Sequence, residues 1–368
     1  MENITITKPV DHHFHARQGD VHGFLVPLIS SMYRGAVLMG NTLPPIVTGE
    51  DAFKYFCNIR KYTTSDFYPL LTIMLVNRTT PEIVEKAHEK YGVWGLKLIP
   101  GGASTNSDAG HNPNAGVSLY DLLGYYPVLE MCQKIGMPFS AHWELTTESD
   151  GTPIPEIKRE TQAIPFLQDV IKKFPKLQIV VEHVTTVEMV QLVCDAPPNV
   201  TATITGHHPF IQYSQVCDED GVIINPGLYC KPVAKTRRDM LAIRKVMFGG
   251  YSKFNFGSDC AWHPAASKKL AVDNAGKNPN AGIFNPFSLQ ILVHEFMKAG
   301  VEEKILEKFL TNNSRVYNLR PPERVDKKIT LVRKSWTLPT NYNGTPIFMG
   351  GQTIDWQIEG WNWQDYLK

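Results

Sequence analysis

The chain has 368 residues, 20% of them charged, with a formal net charge of +1. That length exceeds one small core and suits a barrel with additions, and the near-neutral balance excludes a basic nucleic-acid surface or an acidic tail. No basic stretch opens onto an apolar one at the N-terminus and no apolar run approaches about eighteen residues, so a cytoplasmic protein without membrane contact is expected.

Strand signals recur along the chain. The first covers residues 4–15, where an alternating run, Ile4-Thr5-Ile6, leads into Val10-Asp11-His12-His13-Phe14-His15-Ala16-Arg17. Residues two apart on a strand share a face, so His13 and His15 present two imidazoles side by side, half of a transition-metal site. Further short, apolar, β-branched segments follow at 36–40, 68–75, 93–99, 138–142, 178–183, 200–205 and 254–259. They read as strands buried on both faces. Between them lie helical patterns, clearest at 157–174, 235–248 and 287–298. Eight such alternations predict a parallel (β/α)8 barrel over residues 1–320. Residues 321–368, with strand and turn signals at Ile329-Thr330-Leu331-Val332 and Asn343-Gly344, read as an extension packed on the same domain. Cys57, Cys132, Cys194, Cys217, Cys230 and Cys260 are scattered without a C-x-x-C and read as reduced thiols.

His13, His15, Asn41, Lys97, His142, His183 and Asp259 all fall at predicted C-terminal strand ends, the catalytic face of a barrel. One histidine there is easily a satisfied core residue. Histidines from three strand ends, with a lysine and an aspartate in otherwise apolar strands, are not, because a buried lysine costs several kcal/mol unless neutralised or paired. His12, His22, His111, His207 and His208 are given no role.

The blocks His13-Phe14-His15-Ala16-Arg17, Met39-Gly40-Asn41-Thr42-Leu43-Pro44-Pro45 and Gly95-Leu96-Lys97-Leu98-Ile99-Pro100 resemble the amidohydrolase superfamily and, within it, the dihydroorotase family of the single-chain bacterial type. The resemblance continues through Gly136-Met137-Pro138 to His142-Trp143-Glu144, Glu182-His183-Val184-Thr185-Thr186, Leu228-Tyr229-Cys230-Lys231-Pro232 and Gly257-Ser258-Asp259-Cys260-Ala261-Trp262-His263. It implies two divalent metals, usually zinc. His13, His15 and Asp259 would hold one, His142 and His183 the other, and Lys97, carboxylated by carbon dioxide, would bridge them. The carbamate would turn a buried cation into an anionic ligand.

By the same resemblance Asp259 is the general acid-base group, and Arg17, Asn41 and His263 bind a substrate carboxylate, a planar anion that suits the arginine fork. Ser104 and Thr105 stand at substrate-loop positions, although Ser104 lacks the methyl of the threonine expected there. Leu228, Ala281 and Gly282 complete the substrate contacts, and Cys260-Ala261-Trp262 replaces smaller residues in the pocket wall. The implied reaction interconverts L-dihydroorotate and N-carbamoyl-L-aspartate in pyrimidine synthesis, on a small-molecule substrate in a homodimer. A hydantoinase-like hydrolase would not need Arg17 with Asn41, and an inactive scaffold barrel would not keep every ligand.

Overall fold

The computed structural model describes residues 2–104, 115–270, 278–311 and 327–367. Its centre is a sheet of parallel strands: β2 (Val10–His15), β3 (Gly35–Leu38), β4 (Tyr68–Met74), β5 (Gly95–Leu98), β6 (Phe139–Ala141), β7 (Ile179–Val181), β8 (Val200–Ile204), β9 (Phe254–Phe256) and β10 (Cys260–Ala261), each beside the next, with β10 returning to β2. The strand expected over residues 254–259 forms only as β9, and β10 begins just past its expected end. Phe254–Phe256 pairs with β8, Cys260–Ala261 pairs with β2, and the Asp259 N–H donates to His13 O at 2.7 Å, so this segment closes the barrel. Asp11 ties the seam from below, accepting from the N–H groups of Ser258 at 2.7 Å and His13 at 3.1 Å.

The stretch expected as one leading strand, residues 4–15, is two. β1 (Asn3–Thr7) leaves the barrel and pairs antiparallel with β11 (Lys328–Thr337), which also pairs with β14 (Thr353–Ile358). The cause is Lys8-Pro9, since proline cannot donate to a ladder. β11 contains the predicted 329–332 strand. The Asn343-Gly344 signal is the turn of a hairpin between β12 (Asn341–Tyr342) and β13 (Thr345–Pro346), with φ of 48° and 78° as a two-residue turn of that type requires. Trp336, Trp361 and Trp363 pack against Phe287 with ring centroids 5.4, 6.2 and 6.3 Å away, which seats the tail on the barrel's helical layer. The boundary expected near 320 lies outside the described residues.

Nine α-helices are described: α1 (His22–Met32), α2 (Gly49–Arg60), α3 (Pro81–Tyr91), α4 (Tyr126–Ile135), α5 (Arg159–Lys173), α6 (Val187–Asp195), α7 (Arg237–Phe248), α8 (Ser288–Lys298) and α9 (Glu303–Thr311). α5, α7 and α8 match the three clearest sequence patterns. Local chemistry sets the boundaries: Thr48 with Asp51 and Thr236 with Asp239 form capping boxes, and Pro81 opens α3 behind the Thr80 cap.

Alternation along the strands sorts the two cores. Ala36, Leu38, Leu96, Leu98, Phe139, Ala141, Ile179 and Val181 belong to the large cluster under the helices. Val37, Met39, Leu70, Trp94 and Val180 form a separate cluster inside the barrel. By the same parity His13, His15, Lys97, Ser140 and Glu182 point inward, above that apolar plug. No described helix is long and apolar enough to cross a membrane.

Candidate active site

The inward residues of the strand ends converge on a cavity of about 400 Å³ lined by His13, His15, Arg17, Asn41, Lys97, Ser104, His142, His183, Asp259, Ala281 and Gly282, with Ile99, Cys230, Lys231 and Ala261 between them. On its floor the imidazoles are close: His13 and His15 centroids lie 5.2 Å apart, His13 and His183 5.2 Å, and His142 and His183 4.5 Å. Asp259 Oδ1 sits 3.1 Å from His15 Nε2 and 3.5 Å from His13 Nε2. A Cβ at Gly257 would come within 2.8 Å of His13 Cβ, so only glycine lets this strand approach β2 so closely.

Carboxylates orient two of the rings. His13 Nδ1 is 2.7 Å from Glu182 Oε2, which leaves Nε2 facing the cavity, and His142 Nε2 is 2.7 Å from Glu144 Oε2. This is the second layer that fixes tautomer and direction in metal-ligating histidines. Glu182 also accepts from the hydroxyls of Thr203 (2.6 Å) and Ser140. Burial would raise its pKa, but Lys97, His13 and those donors outweigh it and hold the carboxyl at about 2. Burial lowers His15 to about 4 and pulls His142 and His183 down as well, so these rings are neutral, the form that binds metal. Asp259 is held below the usual carboxylate range because the His13 and His15 imidazoles outweigh its burial.

Lys97 is 1% exposed, and its Nζ has no hydrogen-bond partner among the described residues; the nearest carboxylate, Glu182 Oε1, is 3.9 Å away. Burial brings its pKa down to about 8. His183 Nδ1 is likewise buried without a partner. Two orphaned nitrogens beside neutral imidazoles and a carboxylate fit a cation-binding centre, and the ligand atoms of His13, His15 and Asp259 lie within 4.8 Å of one another. The backbone agrees. Five non-glycine residues of the described chain have positive φ, and three of them are Arg17 (60°), His183 (40°) and Asp259 (49°). Such conformations cluster where function dictates side-chain direction.

On the rim, Arg17 donates from Nε to Trp262 O at 3.0 Å, and its Nη2 lies 2.7 Å from His263 Nε2, which is itself 2.9 Å from Ala281 O. Its own carbonyl accepts from Tyr55 Oη at 2.6 Å and His22 Nε2 at 3.0 Å. Lys268 donates to the carbonyls of Tyr229, Asn280 and Gly282 at 3.1, 2.9 and 2.7 Å.

A sequence model of the amidohydrolase family matches residues 65–250. A dihydroorotase of Shewanella loihica is 34% identical over 365 residues, covering 98% of this chain and all of that one. The Campylobacter jejuni dihydroorotase structure superposes with a TM-score of 0.81 at 32% identity, over 97% of each chain. That of Saccharomyces cerevisiae dihydroorotase in complex with 5-fluoroorotic acid gives 0.86 at 25%, over 98% of this chain and 99% of that one. The chain belongs to the dihydroorotase family.

Within that dihydroorotase framework, the expected ligands His13, His15, Lys97, His142, His183 and Asp259 all reach one cavity, as do Arg17, Asn41, Ser104, Ala281 and Gly282. His263 is not among the lining residues but its Nε2 adjoins three that are, Arg17, Ala281 and Gly282, and Leu228 packs against the hydrophobic core. Thr105 lies outside the described residues. Sequence reading overlooked Glu182, Glu144 and Lys268. The first two carried a signal: each is a carboxylate beside a ligand histidine in an otherwise apolar segment. Lys268 carried none, because its partners are backbone carbonyls brought together only by folding.

Proposed function

We propose that the protein is a dihydroorotase that interconverts L-dihydroorotate and N-carbamoyl-L-aspartate in pyrimidine synthesis, as a cytoplasmic homodimer. His13, His15 and Asp259 would hold one divalent ion, His142 and His183 a second, both zinc, with Lys97 bridging them as its carbamate. Bound there, the ions would supply Lewis acidity toward the ring carbonyl and activate water at neutral pH.

The chain's own groups do the rest. Asp259 accepts the proton of the attacking water and passes it to the leaving ring nitrogen, and the roles reverse when the ring closes. Arg17 takes the substrate carboxylate with the guanidinium N–H groups left over by its Nε bond to Trp262 O. Asn41 and His263 flank that anion. Ser104 and Thr105 contact the substrate from the loop, and Leu228 with the backbone at Ala281 and Gly282 contacts the ring. The observation that carries the reading is a single cavity with a ligand cluster on its floor and an arginine on its rim. A hydantoin offers the floor a ring amide but offers Arg17 no carboxylate. Assaying the purified protein with dihydroorotate, carbamoyl-aspartate, hydantoin and allantoin tests this. Turnover of hydantoin with none of dihydroorotate would overturn it.

A further inference from the structure

His207 follows β8 in Thr205-Gly206-His207-His208, and none of the roles above uses it. It is completely buried. Gly206 lets the chain press against the 285–288 turn, since a Cβ there would collide with Ser288 Oγ. That contact brings Asn285 beside the ring. Asn285 Nδ2 donates to Ser258 O at 2.8 Å and lies 3.1 Å from His207 Nδ1. A carbonyl cannot donate, so Ser258 O fixes the orientation of the amide, and the second amide hydrogen makes His207 Nδ1 an acceptor. With Nδ1 accepting, the ring proton is on Nε2. That nitrogen has no hydrogen-bond partner among the described residues, and Asp259 Oδ2 lies 3.9 Å from it.

The two Asp259 oxygens therefore face different ways: Oδ1 toward His15 and His13, Oδ2 toward His207. Rotation of an aspartate carboxylate about its last torsion is soft, so neighbours must set it. We propose that His207 is a positioning residue whose Nε2–H donates to Asp259 Oδ2 in the working site, turning Oδ1 to the histidine pair. This rests on the reading of Asp259 as the proton-transferring group. The contact needs about 1 Å of closure to reach hydrogen-bond length. His207 also falls with His208 and Cys230 in a group whose ligand atoms lie within 4.8 Å, but that group is already engaged. His208 contacts Thr205 Oγ1 through Nδ1 at 2.9 Å and Pro232 O through Nε2 at 3.0 Å, and the Cys230 thiol donates to Pro232 O at 3.3 Å.

Two substitutions and one spectrum test the proposal. His207→Leu should lower kcat for dihydroorotate about tenfold to a hundredfold, the range for a hydrogen bond to a charged group. KM should stay within about twofold and bound metal at the wild-type level. His207→Gln retains an amide donor and should recover most of the loss. In the wild-type protein labelled with ¹⁵N-histidine, the resonance that disappears in His207→Gln should show a protonated Nε2 and a bare Nδ1. Unchanged kcat in His207→Leu, equal losses in both variants, or a proton on Nδ1 would each overturn the assignment. A wild-type protein inert toward dihydroorotate would overturn the functional reading instead, and the tautomer would still decide the placement of His207.

Discussion

On the floor of the cavity two imidazoles are braced by carboxylates, His13 by Glu182 and His142 by Glu144, each at 2.7 Å. On the rim two cations are braced by backbone carbonyls: Arg17 by Trp262, and Lys268 by three at once. Among the described residues, neither Arg17 nor Lys268 has a carboxylate within 4.0 Å. The contrast has a physical reason. Negative charge behind a neutral imidazole strengthens it as a ligand for a cation. Negative charge beside Arg17 would compete with the substrate carboxylate proposed to bind there. A carbonyl satisfies the N–H geometrically and leaves the full charge for a substrate carboxylate.

The sharpest way to break the floor is Lys97→Ala. No other group of the ligand set offers an anion between the two histidine groups, so bound metal and turnover should both be lost. A small carboxylic acid added to the buffer should restore part of each by occupying the space. Normal metal content and rate in the variant, by elemental analysis and assay, would show that the lysine is no ligand. Asp259→Asn separates binding from chemistry on the same floor. The amide oxygen can still ligate but accepts no proton, so kcat should fall about 10²–10⁴-fold with metal retained. A near-normal rate would move proton transfer to another residue.

Arg17→Met tests the rim. Losing a charge-assisted hydrogen bond and leaving a substrate carboxylate unpaired costs about 3 kcal/mol, or roughly a hundredfold in kcat/KM for dihydroorotate. Arg17→Lys keeps the charge without the fork and should also suffer. Metal content should be unchanged, and a carboxylate-free cyclic amide, if turned over, should lose far less. Equal losses on both substrates would mean that Arg17 shapes the site generally.

The same contrast explains what could be read from the sequence. Floor residues sit on strands (His13, His15, Lys97) or within three residues of a strand's end (His142, His183, Asp259), where an apolar background makes a His, Lys or Asp conspicuous, and all six expected ligands meet in one cavity. Rim residues sit on connections whose partners are main-chain atoms 12 to 39 residues away for Lys268 and 245 for Arg17. No side-chain pattern records such contacts. The split of residues 4–15 had a signal in Pro9, but the partner that makes β1 part of a second sheet is far away in the chain, with Thr5 opposite Thr330.

The smallest expected effect concerns Lys268, where the rim can be perturbed without touching any residue proposed to contact substrate. Its ammonium joins Tyr229 to the 280–282 segment, so Lys268→Met should loosen the wall formed by Ala281 and Gly282. KM should rise several-fold with kcat little changed. The group also has a pH signature, because burial lowers its pKa from 10.5 to about 7. Between pH 7 and about 10 the unfolded chain then holds a proton that the folded chain has released. Unfolding free energy rises with pH wherever the unfolded state binds more protons. The stability of the wild type relative to Lys268→Met should therefore increase from pH 7 to 9, by at most about 1.4 kcal/mol per pH unit. Denaturant midpoints of both proteins at pH 6.5, 8 and 9 measure it. A flat difference would mean that the three carbonyls hold the lysine as a full ammonium throughout, and that its attraction to them matches the cost of burying the charge.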